Sequence, residues 1–208
     1  MATVTVRGAA SVAATPDEAG VAIELSDLRD TPEEAYGRVA ERSDGLVQLL
    51  DELEVKRARR SSGGISVRPH VEYVEGREHH RGYRATARTT LRLEEAGLIA
   101  RVLRDAVARA EARVDGPWWV VRPDNPARLE AARLAALDAR AKAQTYADAP
   151  GVRLGALRRV REPRLGPAPR GVERATMAAV ADAPTIGVEP GELQVAAAVD
   201  VTYVLEPA

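Results

Sequence analysis

The chain has 208 residues, 45% of them apolar and 29% charged, with a formal net charge of -1 at neutral pH. That is enough apolar material to bury a sizeable core and too much for a disordered chain, while the balanced charge excludes a global field toward nucleic acid or an anionic membrane. Cysteine is absent, which excludes a disulfide frame, a thiol nucleophile and cysteine-ligated zinc.

Val4 and Val6 alternate with Thr and Arg, which predicts a first strand to about Ala14, closed by Thr15-Pro16-Asp17. Val21, Ile23 and Leu25 alternate over Glu18 to Leu28 and predict a second. Thr31-Pro32-Glu33-Glu34 reads as a capped helix start with proline in the first turn. Ala35, Val39, Leu46, Leu49, Leu50 and Leu53 then recur at helical spacing. Ile65, Val67, Val71 and Tyr73 predict a strand, with Pro69 pointing to an edge or a bulge. Glu75 to His80 reads as a hairpin loop and Tyr83 to Leu93 as its return strand. A helix follows over about Glu95 to Ala110, on Leu98, Ile99, Val102, Leu103 and Val107. Val114 to Val121 is a further strand.

Asn125-Pro126 opens a third helix, expected to run through Leu129, Ala132, Ala136, Leu137, Ala139 and Ala143 and to stop at Pro150-Gly151. Leu154, Leu157 and Val160 suggest a strand. Pro163 to Pro190 reads as a long loop, rich in Pro, Gly and Ala. Glu192 to Leu205 is a long strand with Val195, Ala197, Val199, Val201, Tyr203 and Leu205 on one face. The order ββαββαβαββ predicts an α+β fold, with antiparallel or mixed sheets packed against helices. Its middle, residues 18–123, has the order of a ferredoxin-like βαββαβ sandwich. Residues 1–14 with 126–208 would form a discontinuous second α/β layer.

Four stretches in register carry a family resemblance. They are Val6-Arg7-Gly8 through Pro16-Asp17, and Gly82-Tyr83-Arg84-Ala85 with its strand. The third is Ala131-Ala132-Arg133 through Lys142-Ala143, with Gly151-Val152-Arg153-Leu154-Gly155, and the fourth is Glu189-Pro190-Gly191-Glu192. Over nearly its whole length the chain resembles the SIMPL-domain family, known so far as a domain of unknown function. The resemblance implies an α+β fold and homo-oligomers, some of them ring- or channel-like. It also implies kinship with periplasmic proteins of oxidative-stress defence, an outer-membrane immunogenic protein and a eukaryotic protein of a kinase signalling pathway. The family has no established catalytic residues. The helix-to-strand junction departs from the family's Leu-Gly-Val: here it is Leu53-Glu54-Val55.

Candidate site residues are few. His70, His79 and His80 are the only histidines, and Glu72, Glu75 and Glu78 lie close by, so a divalent metal such as zinc is the sharp reading. A solvated hairpin tip is the plain one, and it is favoured; no metal or other cofactor is expected. Asp138 and Lys142, four apart, read as a helix-surface ion pair. No serine sits in a nucleophile elbow, and no glycine pattern matches a phosphate loop. All but two of the 30 basic residues are arginine, the lysines being Lys56 and Lys142. The clusters at 56–60 and 158–161 lack aromatic interleaving, so nucleic acid is not an expected partner.

Neighbouring Trp118 and Trp119 must point to opposite faces of a strand. With Tyr203 they are the interface candidates, since Trp and Tyr are enriched where subunits meet. The first residues enter a strand directly, with no basic and apolar leader, and no apolar run approaches a membrane span, so the expected location is the cytoplasm. The expected function is non-enzymatic: a self-assembling homo-oligomer or partner-binding protein, stress-related by resemblance. The alternative is a small-ligand binder or enzyme with its site between the subdomains.

Overall fold

The computed structural model describes residues 2–74, 76–163 and 191–207. The strands are β1 (Ala2–Ala14), β2 (Glu18–Arg29), β3 (Arg60–Val74), β4 (Arg77–Leu93), β5 (Arg113–Val120), β6 (Arg153–Arg161) and β7 (Leu193–Glu206). The helices are α1 (Pro32–Glu52), α2 (Ala96–Ala110) and α3 (Pro126–Asp148), with a short 3-10 turn at Arg57–Arg59. The fold is α+β with antiparallel sheets, in the expected order. The loop expected between Pro163 and Pro190 lies outside the described residues. The chain divides into two compact units.

One unit holds described residues 18–74 and 76–120. Its sheet order is β3-β4-β2-β5, antiparallel throughout, which is the ferredoxin-like arrangement. Val21, Ile23 and Leu25 on β2, with Ala85, Ala87 and Leu91 on β4, face Val39, Leu50, Ile99 and Val102 of α1 and α2. Each fully buried Val, Leu or Ile side chain of this set contributes roughly 1.5–3 kcal/mol. Thr31 caps α1 by accepting the Glu34 N–H at 3.3 Å. At the other end Val55 N–H donates to the Leu50 carbonyl at 3.0 Å and Glu54 takes φ 58. This left-handed closure is one that glycine normally serves. Arg42 closes α2 by donating to the carbonyls of Ala110 and Glu111, both at 3.0 Å, and to that of Ser26 at 2.9 Å.

The hairpin differs from the sequence reading. Val74 pairs with Arg77 and Glu72 with His79, so His79 and His80 stand in β4 rather than in a loop. Gly76, just before β4, has φ 76. Glycine tolerates that conformation, so the strands run on to the tip. On α2, Val107 is exposed and Ala106 takes the buried position.

The other unit holds described residues 2–17, 121–163 and 191–207. β7 lies at the centre of β1-β7-β6, antiparallel to both neighbours, and pairs with β1 without a break from Ala2↔Leu205 to Ala14↔Leu193. Its inward residues Val195, Val199 and Val201 are buried. Helix α3 packs on this face through Ala139 and Ala143, as its periodicity suggested, but not through the other residues expected. Ala131, Ala135, Ala139, Ala143 and Ala147 are all fully buried, whereas Ala132 and Ala136 are exposed and Leu129 and Leu137 are 78% and 51% exposed. The reason is closeness: a Cβ placed on Gly8 would lie 2.0 Å from the Ala135 carbonyl oxygen and 2.5 Å from the Ala139 nitrogen. The helix backbone rests on the β1 backbone, and only alanine fits the seam. α3 begins at Asn125, whose side chain accepts the Ala127 N–H at 2.9 Å, and ends at Gly151, φ 76.

Candidate functional site

Two of the stretches that carry the resemblance, one on β1 and one on α3 and the start of β6, lie in the three-stranded unit, whereas Gly82-Tyr83-Arg84-Ala85 lies on β4 of the other. Around Gly8, the Asp138 carboxylate accepts the Ala9 N–H at 2.8 Å and pairs with Lys142 at 2.7 Å, while Lys142 also donates to the Arg7 carbonyl at 3.2 Å. The expected helix-surface ion pair is therefore a clamp on the β1 backbone. Lys142, then the Ala9 N–H, hold the Asp138 carboxyl below its ordinary range. Asp17 does the same for the entry to α3. It accepts the Arg122 N–H at 2.7 Å and the Asn125 side-chain amide at 2.9 Å, and the Arg122 N–H is the chief cause of its lowered pKa. On the solvent side of the sheet Arg7 and Asp200 form a two-pronged pair at 2.7 and 3.0 Å, which lowers the Asp200 pKa.

The ferredoxin-like sheet carries a different surface on the side away from its helices. Alternation puts Ser66 and Arg68 of β3, Arg84, Thr86 and Arg88 of β4, and Glu24 of β2 on that side. The register makes Arg68 and Arg84 direct partners, as it does Ser66 and Thr86, and Glu24 and Arg88. Two bulges bracket the paired segment: Gly63-Gly64 stand opposite Arg88 alone, and Arg81-Gly82 opposite His70 alone. Bulges strengthen twist and bend strands. Between the two lies an open groove of about 480 Å³, lined by Arg68, Arg84, Arg88, Ser66, Thr86 and His70 among others.

The family model for SIMPL, a protein of unknown function (DUF541), matches residues 4–203. The chain belongs to the SIMPL family. The 26 kDa periplasmic immunogenic proteins of Brucella melitensis and Brucella abortus are each 27% identical to it over 215 aligned positions, covering 97% of this chain and 84% of their own.

In this SIMPL chain the three histidines are dispersed along the β3–β4 hairpin. His70 lines the groove, His79 pairs with Glu72 across the strands, and His80 meets the Tyr83 ring edge-on at 5.0 Å. Glu72 instead pairs with Arg81 at 3.0 Å. Among the described residues no group of three His, Asp or Glu is arranged to hold a metal ion. The tryptophans part as strand geometry requires. Trp119 packs toward the helix-side core. Trp118 lies on the backbone of Gly20, where a Cβ would come within 2.1 Å of its ring. Both remain half-buried. Tyr203 packs beside Val6, Ala139 and Val201 in the core of its own unit. Among the described residues no helix is long and apolar enough to cross a membrane.

Arg68 and Arg84 went unnoticed in the sequence because alternation shows which residues leave the core but not which meet. The signal was there in part: Arg84-Ala-Thr86-Ala-Arg88 is a polar row on alternate positions. The pairing depends on two bulges that no local pattern announces.

Proposed function

We propose that this SIMPL chain works by binding rather than catalysis, as a homo-oligomer assembled through the helix side of β6. One observation carries this reading: Leu157 and Val160 are 55% and 58% exposed on a strand whose apolar side continues that of β7. Leu154, Leu157 and Val160 stand opposite Leu205, Tyr203 and Val201. A helix is about 10 Å across and strands are about 4.8 Å apart, so one helix covers roughly two strands. α3 packs chiefly on β1 and β7, and the third strand's apolar row is left for another surface. A sheet face of this kind needs a cover.

The carboxylates with shifted ionisation support a binding role. Asp17, Asp105, Glu130, Asp138 and Asp200 are all shifted downward, chiefly by hydrogen bonds from arginine, lysine or backbone N–H groups. Such groups anchor structure at neutral pH, where a general acid needs a raised pKa. The relatives are periplasmic by name, which favours the cell envelope over the cytoplasm expected from the sequence; cell fractionation decides between them. A stress-related role rests on the family resemblance. Light scattering across a range of concentrations tests the assembly: a mass several times that of the 22.3 kDa chain is expected, and a strict monomer at high concentration contradicts it.

A further inference from the structure

The groove on the open side of the ferredoxin-like sheet has a charge that the described residues do not balance. Its neighbours on that side are balanced: Arg88 lies 3.7 Å from Glu24 and 3.6 Å from Asp115, and Arg92 lies 3.6 Å from Glu18. Arg68 and Arg84 make no ion pair or hydrogen bond among the described residues. Each faces the other directly across β3 and β4, and on the far side Arg84 meets Leu28 rather than an acid. Like charges directly opposite on paired strands repel, and a sequence built for stability alone would place a carboxylate at one of these positions.

We propose that this groove binds a phosphate monoester, with Arg68 and Arg84 gripping the phosphate from either side. The Ser66–Thr86 hydroxyl pair, one register step along the same surface, supplies further donors. Arginine's planar fork matches oxyanion geometry. A planar carboxylate is satisfied by a single arginine, whereas two guanidinium groups with two hydroxyls suit a tetrahedral anion with acceptors in several directions. The groove, at about 480 Å³, leaves room for the organic part of the ester and falls in the ordinary range for small-ligand sites. Among the described residues no Trp, Tyr or Phe lines it and His70 is its one aromatic ring, so it lacks the row of stacking aromatics of a single-stranded nucleic-acid site. The second concavity of this unit, between α1 and α2, is different in kind: Arg42 there is committed to three backbone carbonyls.

The test is calorimetric titration of the full chain with inorganic phosphate, glycerol phosphate and acetate, paired with thermal melts. Saturable binding of both phosphates at low-millimolar concentration or below is expected, with acetate much weaker. Arg68→Ala and Arg84→Ala should each weaken phosphate binding about tenfold or more, the scale of a lost charged hydrogen bond. Arg104→Ala, on the exposed side of α2, should not. Without ligand either groove variant should melt above the wild type, because the repulsion is gone; with phosphate the wild type should gain and the variants should not. No saturable binding, acetate equal to phosphate, or equal weakening by Arg104→Ala would each overturn the proposal.

Discussion

Glu54 is where a single residue departs most clearly from what its position asks. It closes α1 at φ 58, where an L side chain crowds its own backbone. The bonds of the closure are all present, so the strain lies in the residue and not in a failed cap. Replacing it by glycine removes the crowding but adds flexibility to the unfolded chain. The net expectation for Glu54→Gly is a gain of about 0.5–1 kcal/mol, read as a raised urea midpoint with unchanged slope. Asp17 makes the opposite kind of prediction. Its folded pKa is depressed, so its contribution is fully present above the unfolded value of about 3.9 and is lost as pH falls through the folded value. Asp138 and Asp200 act in the same sense. Urea midpoints measured from pH 7 down to about 3 should fall at the acid end. Asp17→Asn should begin lower at neutral pH and fall less steeply.

At the scale of elements, the seam between β1 and α3 is the tightest contact, and it explains a misreading. Helical periodicity selects large apolar residues, so Leu129 and Leu137 marked the expected core face. The seam selects small residues instead, because Gly8 brings two backbones together. The mark in α3 is an alanine at every fourth position from Ala131 to Ala147; its reason lies in a glycine more than a hundred residues away. Gly8→Ala should lift the helix and destabilise the fold by about 2–3 kcal/mol, a typical figure for overpacking. A variant as stable as the wild type would show that the seam is looser than described. Elsewhere local signals sufficed. Thr31 and Asn125 cap the helices they were expected to cap, and Pro69 stands on an edge strand beside a bulge. The hairpin tip was misjudged because polar residues were taken for loop, although the pairing runs out to Val74 and Arg77.

For the whole molecule, strand and helix order were legible, and the order alone led to the ferredoxin-like arrangement of one unit. β7 illustrates how far that reading reached. Its alternation and its length follow from Val195 to Leu205, and its central place between β1 and β6 is what the structure adds. What order could not supply was which apolar residues remain uncovered, since that depends on the width of one helix against three strands. The apolar row of β6 is the consequence, and self-assembly is the claim built on it. The direct measurement is the mass, by light scattering, of the double variant Leu157→Glu, Val160→Glu beside the wild type at equal concentration. A wild-type oligomer and a folded, monomeric variant are predicted; an oligomer of unchanged mass in the variant would contradict the account.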